Sequence, residues 1–270
     1  MGRPVVLTRG GGDLASGVAV RLHRSGFGVV VLETPRPLAV RRLVAFAEAV
    51  YAGEKEIEGV RGRLVEDVSM AREVMAAGEV PVLVDPEAAC RADLQPAALI
   101  DGRMLKVPVE DQSGHAPLVI GLGPGFTAGV DCHAVVETNR GHHMGRVYWE
   151  GSAQPDTGVP EAVDGYDVER VLRAPASGVL RSHAKLGTLI EKGQLIADVE
   201  GVPLPAPFPG ALRGLLHDGS QVRIGAKVGD LDPRGLIEYC GQISDKSLAV
   251  GGGVLEALLS RAVIRHALGA

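Results

Sequence analysis

The 270-residue sequence predicts an α/β N-terminal domain, an all-β module after it and a closing helix, on three observations. The opening alternates strand-like and helix-like periods around a glycine cluster, the last third contains a matched internal repeat, and the tail carries one apolar helical face. Val5 to Thr8 is a short apolar run, Gly10 to Gly12 a bend, and Leu14, Val18 and Leu22 with Ala15 and Ala19 fall at helical spacing. Gly26 ends that helix and Val29 to Leu32 is the next strand. A strand, a helix and a strand joined this way imply parallel pairing, so residues 1–117 are expected to form a Rossmann-like parallel-sheet domain. Further helices are expected over Leu38 to Ala52 and Ser69 to Ala77, the second capped by its serine and followed by Gly78. Strands are expected over Ile57 to Val65, Val80 to Val84 and Ala98 to Asp101.

Residues 118–165 read as a glycine-rich segment of turns around apolar strands. From Val171 the repeat begins: Ala174, Pro175, Gly178 and Leu180 recur as Ala206, Pro207, Gly210 and Leu212, and Gly187, Ile190, Gly193, Ile196 and Asp198 recur as Gly219, Val222, Gly225, Val228 and Asp230, at a constant offset of 32 residues. One copy could not bury its own apolar face, so two interlocking halves are expected over 166–238, as in the barrel-sandwich hybrid of biotinyl and lipoyl carriers. Carriers present a lysine on the hairpin between halves; here Glu200 to Pro205 holds none, which leaves a structural or docking module rather than a swinging arm. In the last segment, 239–270, Leu255, Leu258, Leu259, Ala262 and Val263 mark one helical face after Gly251 to Gly253, expected to pack back on a core.

Composition excludes several classes. The chain is 46% apolar and 23% charged, as in a soluble globular protein. Its net charge of −5, with 28 Lys and Arg dispersed among 33 Asp and Glu, argues against nucleic acid or an anionic membrane as partner. One Trp, four Tyr and four Phe offer few stacking platforms. Cys90, Cys132 and Cys240 stand alone, so neither a zinc ribbon nor a disulfide framework is expected. Without an apolar run long enough to span a bilayer or an evident targeting segment, the sequence reads as a cytoplasmic protein.

Three constellations could carry chemistry. Gly10-x-Gly12-x-x-Ala15, extended by Gly17, sits between a strand and a helix, where glycines let backbone amides approach a pyrophosphate at the positive helix end. Glu33 ends the second strand 21 residues after Gly12, placed to accept from an adenosine ribose. A tight turn with no nucleotide is the competing reading, and Asp13 in the first helical turn would oppose a phosphate or cap the helix. Gly121-x-Gly123-x-Gly125 is either a second anion-binding loop or a plain glycine turn, with Pro124 removing one amide donor. The third is the polar run from Asp131 to His143, with Cys132, His133, Glu137, Arg140 and His142 as candidate catalytic residues. Strand alternation sets His133 and Glu137 on one face and Cys132 on the other, which disfavours a closed metal site. A thiol activated by neighbouring positive charge and a small buried apolar side chain both remain open for Cys132. The chain has no Gly-x-Ser-x-Gly elbow, His-Glu-x-x-His or Walker lysine motif.

Blocks along the whole chain resemble the selenium-dependent molybdenum hydroxylase accessory proteins of the YqeB type, whose related systems include XdhC-like molybdenum cofactor chaperones. They are Arg9 to Val18, Val84-Asp85-Pro86, Gly121 to Gly129, Asp131 to His142, Lys227 to Arg234, Ser244-Asp245-Lys246 and Gly251 to Ala257. The resemblance implies a maturation factor whose partner is a selenium-dependent molybdenum hydroxylase, and which binds a nucleotide or a nucleotide-containing molybdenum cofactor. In that setting Cys132, supported by His133 or Arg140, would handle a selenide or sulfide equivalent, since a soft thiolate suits soft selenium. Two other classes compete: an NAD(P)-dependent oxidoreductase, and a non-catalytic scaffold for hydroxylase assembly. Self-association into a homo-oligomer is left open.

Overall fold

The computed structural model describes residues 3–156, 158 and 168–269, so the expected segment boundary at 165 and Thr157 lie outside the described residues. The chain divides into two compact units: Met1–Pro37, Ala45–Asp156 and Ile243–Ala270 form the first, Leu38–Val44 and Thr157–Gln242 the second.

In unit 1, β1 (Val5–Arg9) runs through the glycine bend into α1 (Asp13–Arg24) and on to β2 (Gly28–Glu33). β1 and β2 pair in parallel, from Val5 opposite Gly28 to Arg9 opposite Leu32. α1 buries Leu14, Ala15, Val18, Ala19 and Leu22, the residues of its apolar stripe, and stops before Gly26, whose φ of +92° cannot continue a helix. There follow α2 (Ala49–Ala52), β3 (Glu54–Ile57), β4 (Val60–Val65), α3 (Val68–Ala76), β5 (Val80–Val84), α4 (Arg91–Leu94), β6 (Ala98–Asp101), β7 (Val119–Leu122), β8 (Thr127–Ala128), β9 (Ala134–Val136), β10 (Val147–Tyr148) and β11 (Gly151–Ser152). Nine of these strands form one sheet in the order β10-β9-β7-β6-β1-β2-β5-β4-β3, while β8 and β11 pair separately. Leu7, Val30, Leu32, Leu99 and Val119 bury one face of the sheet with Ala71 of α3. α5 (Asp245–Leu259) packs on α1, and α6 (Ala262–Ala267) follows it.

Unit 2 contains β12 (Val171–Arg173), β13 (Gly178–Ser182), β14 (Leu189–Ile190), β15 (Leu195–Val199), β16 (Val202–Pro205), β17 (Gly210–Leu215), β18 (Gln221–Val222) and β19 (Lys227–Asp232). They form two four-stranded antiparallel sheets, β12-β19-β17-β14 and β16-β15-β13-β18. Each sheet takes two long strands from one copy of the 32-residue repeat and a short edge strand from the other. Leu180, Ile196, Val199, Leu212, Val228 and Leu231 lie in its buried core.

This architecture corrects the expected fold class. In place of a Rossmann-like parallel domain ending at 117, the sheet is mixed: β3 and β10 are antiparallel to their neighbours, and β7, β9 and β10 join from beyond that boundary. The expected strand Ile57 to Val65 is instead part of a hairpin. Glu58 at φ 45° and Gly59 at φ 81° make its two-residue turn, the left-handed pair that reverses a chain tightly. In place of a barrel-sandwich hybrid, unit 2 is a pair of antiparallel sheets that also takes up Leu38–Val44, with the Leu215 N–H donating to the Val40 carbonyl at 2.9 Å. That excursion is why no helix spans Leu38 to Ala52. The tail differs too: α5 begins at Asp245 and contains Gly251 to Gly253, since a Cβ at Gly253 would lie 2.1 Å from the Gly145 carbonyl oxygen and only glycine permits the approach. At α3 the cap is Asp67, accepting from the Met70 N–H, not Ser69. No described helix is long and apolar enough to cross a membrane.

Candidate functional site

Ligands of open parallel sheets bind beyond the carboxyl ends of the strands, where successive connections leave on opposite sides. In unit 1 that place lies at β1, flanked by β2 and β6. Gly10 turns the chain there at φ +91°, its N–H donating to the Leu32 carbonyl at 2.8 Å. The loop after β6 crosses beside it: a Cβ on Gly10 would sit 3.3 Å from the Arg103 backbone. Gly12 is the N-cap residue of α1 and, being glycine, has no side chain to cap it; a Cβ there would meet nothing within 4 Å. Space at a helix N-terminus suits an anion, and Asp13 in the first turn places a negative charge beside it.

One part of the fingerprint is already engaged. The Glu33 carboxylate accepts from the Gly11 N–H at 2.6 Å and the Thr34 N–H at 2.8 Å, so it holds the bend instead of standing free for a ribose. Ala15 is buried on the stripe of α1. Gly17 is a packing position: its Cβ would lie 2.5 Å from the Ser247 Cβ of α5. It lies under a helix, and the cofactor role expected for it does not hold.

The second glycine loop is filled from within. A Cβ at Gly121 would strike the Phe126 ring at 2.3 Å, one at Gly123 the Thr138 Oγ1 at 2.2 Å, and one at Gly125 the Val107 carbonyl oxygen at 2.5 Å. These glycines admit protein atoms where a side chain would otherwise stand, which accounts for them by packing.

The polar run from Asp131 to His143 does not converge on a reaction centre. Cys132 is buried at 2% exposure, its Sγ directed to the Ala134 carbonyl at 3.4 Å, and burial, reinforced by Asp131, pushes its thiol up to about 12. A thiol so placed stays protonated, which removes the activated-nucleophile reading. The His133 Nδ1 accepts from the Val119 N–H at 2.9 Å, which sets the proton on Nε2. Glu137 is fully buried and accepts from the Asn139 N–H at 2.7 Å and the Gln154 N–H at 2.8 Å, tying two loops together. Arg140 pairs with Asp245 at 2.7 Å. His142 is exposed and edge-on to His143, with ring centroids 5.7 Å apart. Among the described residues no three His, Cys, Asp or Glu gather into a metal-ligand group.

Sequence reasoning missed the cations around the bend. Arg9, almost wholly buried, donates to Gln112 Oε1 at 2.9 Å and to the Pro86 carbonyl at 2.6 Å. Gln112 donates in turn to Asp101 at 3.0 Å, and Arg103 Nε to Asp101 at 2.9 Å. This network pins the loop after β6 beside Gly10. At the start of α5 stands Lys246, half-buried, among the charges of Asp13, Arg140, Lys106 and Glu137. Its only sequence signal was the block Ser244-Asp245-Lys246, whose first residue is the N-cap of α5.

No family model matches the chain. Over 258 residues it is 47% identical to YqeB, an uncharacterized protein of Escherichia coli strain K12, covering 96% of this chain and 48% of that protein. This supports the YqeB type; the chain spans about half the length of the curated relative it matches. Solved structures with some likeness include the apo ectoine utilization protein EutE (DoeB) of Ruegeria pomeroyi, at 12% identity and TM-score 0.25 over 85% of this chain and 86% of that one. An aspartoacylase family protein of Mesorhizobium loti is 10% identical, with TM-score 0.26 over 86% and 85% of the two chains. A succinylglutamate desuccinylase of a Silicibacter species is 11% identical, with TM-score 0.24 over 85% of each. Likeness at that level carries no argument about this chain.

Proposed function

We propose that this homologue of YqeB binds a phosphate-bearing small molecule of the nucleotide class at the carboxyl edge of its parallel strands, as an accessory factor in the maturation of selenium-dependent molybdenum hydroxylases. The observation that carries the binding half is the glycine bend at β1, which leads into α1 through a glycine N-cap with open space at its Cβ position. The maturation half rests on the resemblance of residue blocks to the selenium-dependent molybdenum hydroxylase accessory proteins alone; the 47% identity to YqeB supports the type and not the role. The amides of the first turn of α1 are the donors that would meet the phosphate of a nucleotide or of a nucleotide-bearing molybdenum cofactor. A thiol route for selenium through Cys132 is not part of the proposal, because that thiol is buried and protonated.

Within this reading the chain's residues hold and shield. Gly10 and Gly11 shape the bend, Glu33 locks it through the Gly11 N–H, and the network of Arg9, Gln112, Asp101 and Arg103 fixes the neighbouring wall. An NAD(P) oxidoreductase reading is weaker, since Glu33 already spends an acceptor oxygen on each of two backbone amides.

The test is to produce a selenium-dependent molybdenum hydroxylase with and without this protein, measuring selenium and molybdenum in the purified enzyme and nucleotide in the purified accessory protein. Hydroxylase lacking selenium or its cofactor only when the protein is withheld is the expected result. Equal metal and selenium content in both preparations would overturn the maturation role.

A further inference from the structure

Among the described residues, six that are not glycine have positive φ. Four of them close local turns. Glu58 and Glu200 sit in the hairpins β3–β4 and β15–β16, Gln95 ends α4, and the Ala88 N–H donates to the Asp85 carbonyl at 3.1 Å. The other two, Met104 at φ 55° and Lys106 at φ 62°, belong to no hairpin, helix end or hydrogen-bonded turn. They flank Leu105 in the loop after β6, next to the glycine bend. A left-handed L-residue is disfavoured because its Cβ crowds the following carbonyl oxygen, so two such residues in three make a strained arch.

The arch is held at its ends. On one side the Gly102 N–H donates to the Arg9 carbonyl at 2.9 Å, the Arg103 N–H donates to Asp101 at 3.2 Å, and the Arg103 backbone lies against Gly10. On the other the Val107 carbonyl oxygen packs on Gly125, Val109 packs on the core, and Gln112 is buried between Arg9 and Asp101. In between, residues 103–111 make no backbone-to-backbone hydrogen bond with a described residue. The Lys106 ammonium donates to Asp156 at 3.0 Å, in a pair open to water. Leu105 is 45% exposed, an apolar side chain with contact area to spare. Clamped ends, unpaired amides and a strained tip mark a segment with a second conformation within reach.

We propose that residues 104–106 are a lid, here in its open form, which folds over the glycine bend when a nucleotide-class ligand is bound, burying Leu105 and returning Met104 and Lys106 to negative φ. The proposal rests on the small-molecule reading above and adds the element that shields the ligand. A ligand moves such an equilibrium only by what is gained in the closed form. Here the protein itself supplies part of that gain, through release of the strain at Met104 and Lys106 and burial of Leu105. The exposed pair of Lys106 with Asp156, which closing would break, is worth little.

Amide hydrogen exchange of the full chain with and without ATP, GTP and CTP, and isothermal titration of the wild type, Met104→Gly and Met104→Val, test it. Thermal melts confirm that each variant is folded, and Lys106→Gly replaces Met104→Gly if that variant is not. Glycine relieves the strain of the open form, and a β-branched residue increases it. The nucleotide Kd is therefore expected to rise about five- to thirtyfold in Met104→Gly, the cost of one left-handed L-residue, and to fall in Met104→Val. Bound nucleotide is expected to slow exchange at residues 10–13 and 104–106 together. Slowing at 10–13 with 104–106 unchanged, or one Kd for all three proteins, would overturn the lid and keep the nucleotide reading. Slowing confined to other parts of the chain, or no binding of any nucleotide to the wild type, would overturn both.

Discussion

A buried pair of carboxylates in unit 2 and a partly exposed lysine in unit 1 are answered differently. In unit 2, Asp230 and Asp232 are each 1% exposed, yet every charge has an answer: Arg213 reaches Asp230 at 2.6 Å and Asp232 at 3.1 Å, Arg170 reaches Asp230 at 3.3 Å and Arg234 reaches Asp232 at 2.6 Å. At the carboxyl edge of unit 1, Lys246 is less buried and has no such answer among the described residues. A buried carboxylate needs cations of the chain itself and so fixes the strands that carry them, whereas a partly exposed ammonium can take its partners from water.

Substitutions can break or sharpen that contrast. The largest effect is expected from Asp230→Ala, which removes the buried carboxylate shared by Arg213 and Arg170 and should cost about 3–5 kcal/mol, read as a lower urea midpoint for unit 2. Gly253→Ala, which drives a methyl onto the Gly145 carbonyl, should lose about 1–3 kcal/mol in the same measurement on unit 1. Lys246→Met should move the other way, stabilising unit 1 by about 0.5–2 kcal/mol in the same measurement. A loss of stability there would mean that the lysine has a structural partner.

Acid separates the units further. Burial pushes the Asp230 carboxyl up, but Arg213, Lys227 and Arg170 outweigh it and hold the group below its ordinary 3.8. Asp232 is likewise held down, burial opposed by Arg234 and Arg213. Carboxyls depressed on folding stabilise the protein above the unfolded value, and that contribution disappears as pH falls below about 3.8 through the folded values. Denaturation midpoints of unit 2 should therefore fall steeply below that pH, and Asp230→Asn should flatten the dependence. The smallest effect concerns the thiols. Cys90 and Cys132 are pushed up to about 12, chiefly by burial, so neither should react with iodoacetamide in the native protein near neutral pH, although both should once it is unfolded.

How much of this was legible in the sequence depended on range. Local periodicity located β1, α1 and β2 and the bend between them, because apolar spacing and glycine placement act within a few residues. The turn at Glu58 and Gly59 escaped because its left-handed pair lacks the usual Asn-Gly signature, and the antiparallel edge it creates went with it. The density of Cys, His and Glu after Asp131 drew attention to side chains that the fold buries or spends on backbone amides. The packing of α5 on α1 was hidden for the converse reason, since it joins Ser247 and Asp13, 234 residues apart in sequence.

The nine-stranded sheet of unit 1 finishes on β3, whose backbone has a strand neighbour on only one side among the described residues. Its residues are Glu54, Lys55, Glu56 and Ile57, and only Ile57 turns fully inward. A bare strand margin is a template on which a second molecule can add its own strand, and a row of charges makes that addition unfavourable. Colloidal behaviour at high concentration therefore depends on this short margin: Glu54→Val with Glu56→Val should leave the monomer folded and turn it into a nucleus for fibrous or amorphous aggregates, detectable by light scattering.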